Sequence, residues 1–266
     1  CIFQPYTYNK DLCGVNPIMV GGNYQRQDVK MNSNKTKNYA ARLDWLRKKI
    51  SSIKETKGID VVPVIKWLGQ KRKKNKVEVN LASIPDLKQW VYKNGIIQHK
   101  ASKGHFFTVE GAIIRKAEGR EVLEWDQPIF NQKEGGILVI LAQEQGNDVK
   151  FLLHAKFEPG NISKLQLAPT IQATGSNLKQ HHKGKKPRFS EYWDNSNTVL
   201  IYKASHNEEG GRFWQKSNVN AIVLLDKNQN IELNDDYIWL TLGQIKKLML
   251  YDNIVNPFVK TILSPL

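Results

Sequence analysis

The sequence predicts an α+β fold: a mixed or antiparallel sheet with flanking helices, preceded by a basic helical region. Two observations carry this. Apolar residues in 39–57 recur at helical spacing, whereas after Gly95 the chain breaks into short runs of β-branched and aromatic residues separated by turns. The charge changes with the texture. Residues 1–100 hold 20 Lys+Arg against 7 Asp+Glu, a net of +13, and residues 101–266 hold 20 against 18, a net of +2.

In chain order, the first 30 residues are Gly-, Asn- and Gln-containing, without a clear period and without a basic segment leading into an apolar one, so no signal peptide is visible. Met31 is one candidate start, which would make the residues before it a translated leader. An ordered N-terminal arm is the other reading, and 1–38 is taken as a disordered leader or arm. Residues 39–57 place Leu43, Leu46, Ile50 and Ile53 on one helical face. Residues 60–70 are short and apolar, interrupted by Pro63. Ile84, Pro85 and Asp86 predict a helix running through Trp90. Together 39–95 form the expected basic helical region packing on the module of 96–266. Strands are expected at Gly104–Ile114, Val122–Ile129, Gly136–Ala142, Val149–Phe157, Val199–Lys203 and Asn220–Leu225. Thr241 is placed to cap a short amphipathic helix to Tyr251.

Composition excludes several classes. No run approaches the roughly 20 apolar residues of a bilayer-spanning helix, so no membrane partner is expected. Cys1 and Cys13 are the only cysteines, too few for a disulfide framework, which fits a cytoplasmic setting. The formal charge of +15 suggests a polyanion. Its concentration in Lys35–Lys57 and in the run Lys71–Lys76, without interleaved aromatics, argues for solvated helix ends instead, and no nucleic-acid partner is expected. There is no GxGxxG, P-loop, HExxH, CxxC pair or GxSxG. His181-His182 sit on a Gly/Lys-rich loop that converges poorly on a metal, and no metal site is assigned. Glu208-Glu209-Gly210 resembles part of a Nudix box whose upstream elements are missing.

The unusual stretch is 154–177. His154, Lys156 and Glu158 alternate at a strand end, so a period of two points them to one face. A Pro-Gly turn follows, and then Gln166, Thr170, Gln172, Thr174, Ser176 and Asn177 supply amides and hydroxyls. Such an element can hold a polyhydroxylated anion and move a proton. It can equally be a half-exposed strand with a polar face.

At this point the sequence resembles the NDP-hexose 2,3-dehydratases, from about Leu87 to Leu266. The resemblance rests on ordered blocks: Gly104-His105-Phe106-Phe107 to Glu110-Gly111; Trp125-Asp126-Gln127-Pro128-Ile129 with Gln132 and Glu134 to Gly136; Ala155 to Asn161; Gln166 to Thr174; Ser176-Asn177 with Gly184, Pro187 and Tyr192; Glu209 to Phe213 with Asn218 and Asn220; Trp239 to Gln244; and Asp252 to Asn256. It implies a Nudix-like module, of which the family usually carries two in tandem. One is present here, resembling the first copy, so either a stand-alone half-length member pairing as a homodimer or a truncation is expected. It departs where the family usually has basic residues and this chain has Gly175, Ser217 and Val219.

The resemblance implies a TDP-4-keto-6-deoxyhexose substrate, loss of water across C2–C3, no redox cofactor, and a downstream 3-ketoreductase. On that reading Glu158 is the first choice for the base, with Glu134 or Glu209 as rivals. Lys156 or His154 would polarise the ketone or protonate the leaving hydroxyl. Gln166, Gln172, Thr174 and Asn177 would hold sugar hydroxyls, with Gln127, Gln132, Thr170, Ser176, Asn218 and Asn220 as further binding candidates. Arg212, helped by Lys183 or Lys186, would contact the diphosphate, and Trp239 or Phe107 would stack on thymine. Simpler structural roles stand beside these: Glu209–Arg212 as an i,i+3 ion pair, and Trp239 as core.

Overall fold

The computed structural model describes residues 33–50, 58–101, 106–178, 186–193 and 198–266, the side chains of 33–37 and Ser176 excepted. Cys1, Cys13, Met31, most of the 1–38 arm, Gly104, His105, His181, His182, Lys183 and Gly184 lie outside the described residues. Asn34–Leu266 form one compact unit.

Two helices come first, α1 (Ser33–Lys49) and α2 (Val62–Lys74). A small antiparallel sheet follows: β1 (Trp90–Lys93), β2 (Ile96–His99), β3 (Thr108–Ile114) and β4 (Trp125–Asn131). The helix expected through Trp90 is absent. Ile84–Asp86 make a single 3-10 turn, and Trp90 opens β1. The Asn94-Gly95 pair decides this. Its φ angles of 54° and 78° form a tight turn whose twist suits a two-residue hairpin, which pulls both flanks into strands.

The main sheet runs β11-β6-β5-β10-β9. Its members are β5 (Gly136–Gln145), β6 (Asp148–Phe157), β9 (Val199–Asn207), β10 (Ser217–Leu224) and β11 (Tyr237–Thr241). β10 lies parallel to β5 and the other pairs are antiparallel, so the sheet is mixed. Alternation sorts its side chains. Leu138, Ile140, Phe151, Leu153 and Ile222 join α1, α2, α4 (Leu242–Leu248) and α5 (Pro257–Leu263) in one core. Val139, Leu141, Leu152, Ala221 and Val223 join Phe189, Tyr237 and Trp239 in the other. Thr241 caps α4 in a reciprocal box with Gln244.

β5 and β6 pair only over Leu141–Gln145 and Asp148–Leu152. Beyond that they diverge. β7 (Leu165–Pro169) pairs with β6, and β8 (Ile171–Thr174) pairs with β5. Thr170 stands at the junction, accepting from the Leu141 N–H at 3.0 Å and donating to the Leu152 carbonyl. The split opens the cleft.

Candidate active site

The cleft has two lobes, about 380 Å³ and 220 Å³, sharing Leu138, Glu208, Asn218 and Phe258. The ends of β6, β8 and β9 and the starts of β5, β10 and α5 wall it.

Glu158 anchors the larger lobe. It follows β6, and its backbone N–H bonds the Lys164 carbonyl at 3.3 Å across the Pro159-Gly160 turn. Two amides aim its carboxylate: Gln172 Nε2 donates to Oε1 at 2.8 Å, and Asn256 Nδ2 to Oε2 at 3.0 Å. Lys156 Nζ stands 3.8 Å from Oε1 and lines the smaller lobe. Burial pulls the Lys156 ammonium below its ordinary range, against the opposing pull of Glu158. The lowered value makes this lysine a better acid near neutrality.

Glu208 is a second, half-buried carboxylate in the cleft, next to the Glu209 that the sequence favours. It pairs with Lys216 at 3.4 Å, with side-chain exposures of 12% and 11%, and accepts from Asn218 Nδ2. Asn218 Oδ1 in turn accepts from the Gly136 N–H at 2.7 Å, tying β10 to the start of β5. Lys216 also lies over the Phe213 ring. Burial along β9 separates the two carboxylates. Positions 203, 205 and 207 are exposed, so the even positions Ala204, His206 and Glu208 turn inward and Glu209 turns out.

The other candidates scatter. Gln172, Thr174, Asn177 and Asn218 line the smaller lobe, and Asn220 and Glu209 the larger. Gln172 Oε1 and Asn220 Oδ1 are buried acceptors without a hydrogen-bond partner. Gln166 is buried beside Lys156 on β7. Thr170 is the strand staple described above. His154 stacks on Tyr237 at 4.4 Å, in neither lobe, and burial lowers its pKa to about 4. Glu134 approaches Gly175 closely: a Cβ there would lie 3.0 Å from its Oε1. Gln127 clamps strand to loop, accepting from Trp125 and donating to the Gly211 carbonyl, while Gln132 follows β4 half-buried. Phe107 packs between Trp90 and Phe130. Trp239 packs in the second core. Arg212 forms an exposed pair with Glu209 at 3.0 Å and lines neither lobe. Lys186 is exposed.

Among the described residues no group of three or more His, Cys, Asp or Glu is arranged to hold a metal ion, and no helix is long and apolar enough to cross a membrane.

Such a cleft defines a class: an α+β protein with a cleft lined by carboxylate–lysine pairs and amides. The family can be stated as well. The chain belongs to the NDP-hexose 2,3-dehydratases, whose family pattern it matches over residues 62–266. That match begins at the first residue of α2. Similar relatives are the dTDP-4-dehydro-6-deoxy-alpha-D-glucopyranose 2,3-dehydratases of Saccharopolyspora spinosa and Amycolatopsis orientalis. The first is 37% identical over 199 residues, covering 74% of this chain and 40% of that protein. The second is 38% identical over 205 residues, covering 74% and 43%. The chain spans less than half the length of these relatives. Among solved structures, similarity extends to an ADP compounds hydrolase (TM-score 0.38, 11% identity, 67% of this chain and 92% of that one) and to the C. elegans Ap4A hydrolase (TM-score 0.32, 12% identity, 50% and 94%). The α+β class rests on the strand pairing and helices themselves.

Proposed function

We propose that this chain eliminates water across C2–C3 of a TDP-4-keto-6-deoxyhexose, giving a 3,4-diketo-2,6-dideoxy sugar nucleotide. The observation that carries the reading is Glu158 beside Lys156, with its carboxylate aimed by two amides at the floor of a cleft. The C4 ketone acidifies the C3 hydrogen. Glu158 takes that proton, the C2 hydroxyl leaves as water with a proton from Lys156, and the resulting enol becomes the 3-ketone. No electrons leave the substrate. His154 suits the acid role poorly, being stacked on Tyr237 and neutral at pH 7. The buried acceptors of Gln172 and Asn220 suit sugar hydroxyls. Lys216, in the smaller lobe, takes the diphosphate role that the sequence offered to Arg212.

A homodimer, a cytoplasmic setting and a 3-ketoreductase that consumes the reactive diketone belong to the same proposal. The test is turnover of freshly prepared TDP-4-keto-6-deoxyglucose by the purified chain, followed by release of free TDP as the labile product decays. Ligand-induced stabilisation by TDP without turnover would favour a sugar-nucleotide-binding module over an enzyme.

A further inference from the structure

Asn256 contacts three separate parts of the molecule. Its backbone N–H bonds the Leu167 carbonyl on β7 at 2.9 Å. Its Oδ1 accepts the Phe258 N–H at 2.9 Å, capping α5. Its Nδ2 donates to Glu158 Oε2 at 3.0 Å, across 98 positions of sequence. The side chain is 3% exposed, so water does not compete for these bonds. The two side-chain contacts fix the amide's orientation. Flipped, it would set its oxygen against the carboxylate and its NH2 against an N–H donor.

We propose that Asn256 is a positioning residue for Glu158, holding one carboxylate oxygen so that the other faces Gln172, Lys156 and the cleft. The claim rests on the dehydratase reading for its catalytic consequence but not for its physics. Capping alone does not explain the residue. Ser, Thr and Asp also cap, yet Ser and Thr are too short to reach Glu158, and Asp has no N–H to give it. Asn satisfies both demands.

The cap and the positioning role separate by substitution. Asn256→Asp keeps the cap and sets a second carboxylate against Glu158. Besides Lys156 at 3.8 Å, the titratable groups lining this lobe are His206, Glu208 and Glu209, while Lys260 of α5 is exposed and outside the lining. Like charges in contact cannot both ionise freely, so the acid limb of kcat/KM should move up by about one pH unit or more. Asn256→Ser keeps the cap, adds no charge and removes the donor, and should lower kcat about tenfold or more, with the limb moving up by less than in Asn256→Asp.

A readout independent of turnover is thermal stability against pH. The gap between wild type and Asn256→Asp should be widest at neutral pH and close as acid protonates the carboxylate pair. Superimposable pH–rate and pH–stability curves for wild type and Asn256→Asp would overturn the proposal. A wild-type protein that turns over nothing, alongside a pH-dependent stability gap, would retire the dehydratase reading and keep the Asn256–Glu158 coupling.

Discussion

The N-terminal helices and the cleft use their cations differently. In the N-terminal helices the charges are numerous and bind backbone. Arg42 bonds the Leu200 carbonyl, Arg47 the Pro265 carbonyl at 3.2 Å, and Arg72 the carbonyls of Leu165 and Asn253 at 3.0 and 2.6 Å. Lys71 bridges Asp235 and Asp236 at 2.7 and 2.8 Å. In the cleft the cations are few, Lys156 and Lys216, and each meets a carboxylate. The first set fastens helices to strand ends and loops. The second lines the smaller lobe of the cleft. A net charge of +15 is therefore a poor guide to function here, because part of the excess fastens the fold together.

The contrast can be tested, beginning with the largest effect. Glu158→Gln should lower kcat by about a thousandfold while TDP affinity, measured by calorimetry, stays near wild type. Wild-type rates would remove Glu158 as the base. Next comes His154, a half-buried imidazole outside the cleft. Its folded pKa of about 4 lies below the ordinary 6.5, so the unfolded chain takes the proton more readily. Its contribution is fully present above pH 6.5 and lost as pH falls toward 4, on the order of 2–3 kcal/mol. His154→Phe, which can still stack on Tyr237, should flatten that part of the acid unfolding curve. Third, Arg72→Met should cost about 1.5–3 kcal/mol in urea unfolding, since two carbonyls lose a charged donor, and should leave TDP affinity unchanged. A loss of affinity would mean that α2 takes part in the site. The smallest effect belongs to Arg212→Met. With side chains 68% and 65% exposed, its pair with Glu209 should contribute less than about 0.5 kcal/mol, and TDP binding should not change. A tenfold loss of affinity would return Arg212 to the binding machinery.

What the sequence made legible follows the strength of its local signals. The strands β5 and β6 are apolar runs that nothing contradicts, and Thr241 with Gln244 is a complete capping box. Pro85 looks like a helix start and points to a helix through Trp90, while the stronger signal, Asn94-Gly95 between two β-rich flanks, lies further on. β7 and β8 were hidden because their polar residues serve the interior. Gln166 and Thr170 are buried, and Gln172 supports Glu158. Glu158 and Lys156 were legible as an alternating pair at a strand end. His154 shares their parity but not their surroundings, because Tyr237 on β11 covers it. Glu208, Lys216 and Asn256 become neighbours of the site only through strand pairing and a helix cap, and no local pattern announces such meetings.

The Asn256 cap has a consequence for how the protein is made. Glu158 is synthesised 98 positions before the amide that holds it, so a chain still emerging from the ribosome can form the β5–β6 hairpin without having an organised site. Pairings this distant in sequence close slowly and late. Quality control that samples the nascent chain would meet the β5–β6 hairpin before the Asn256–Glu158 contact exists.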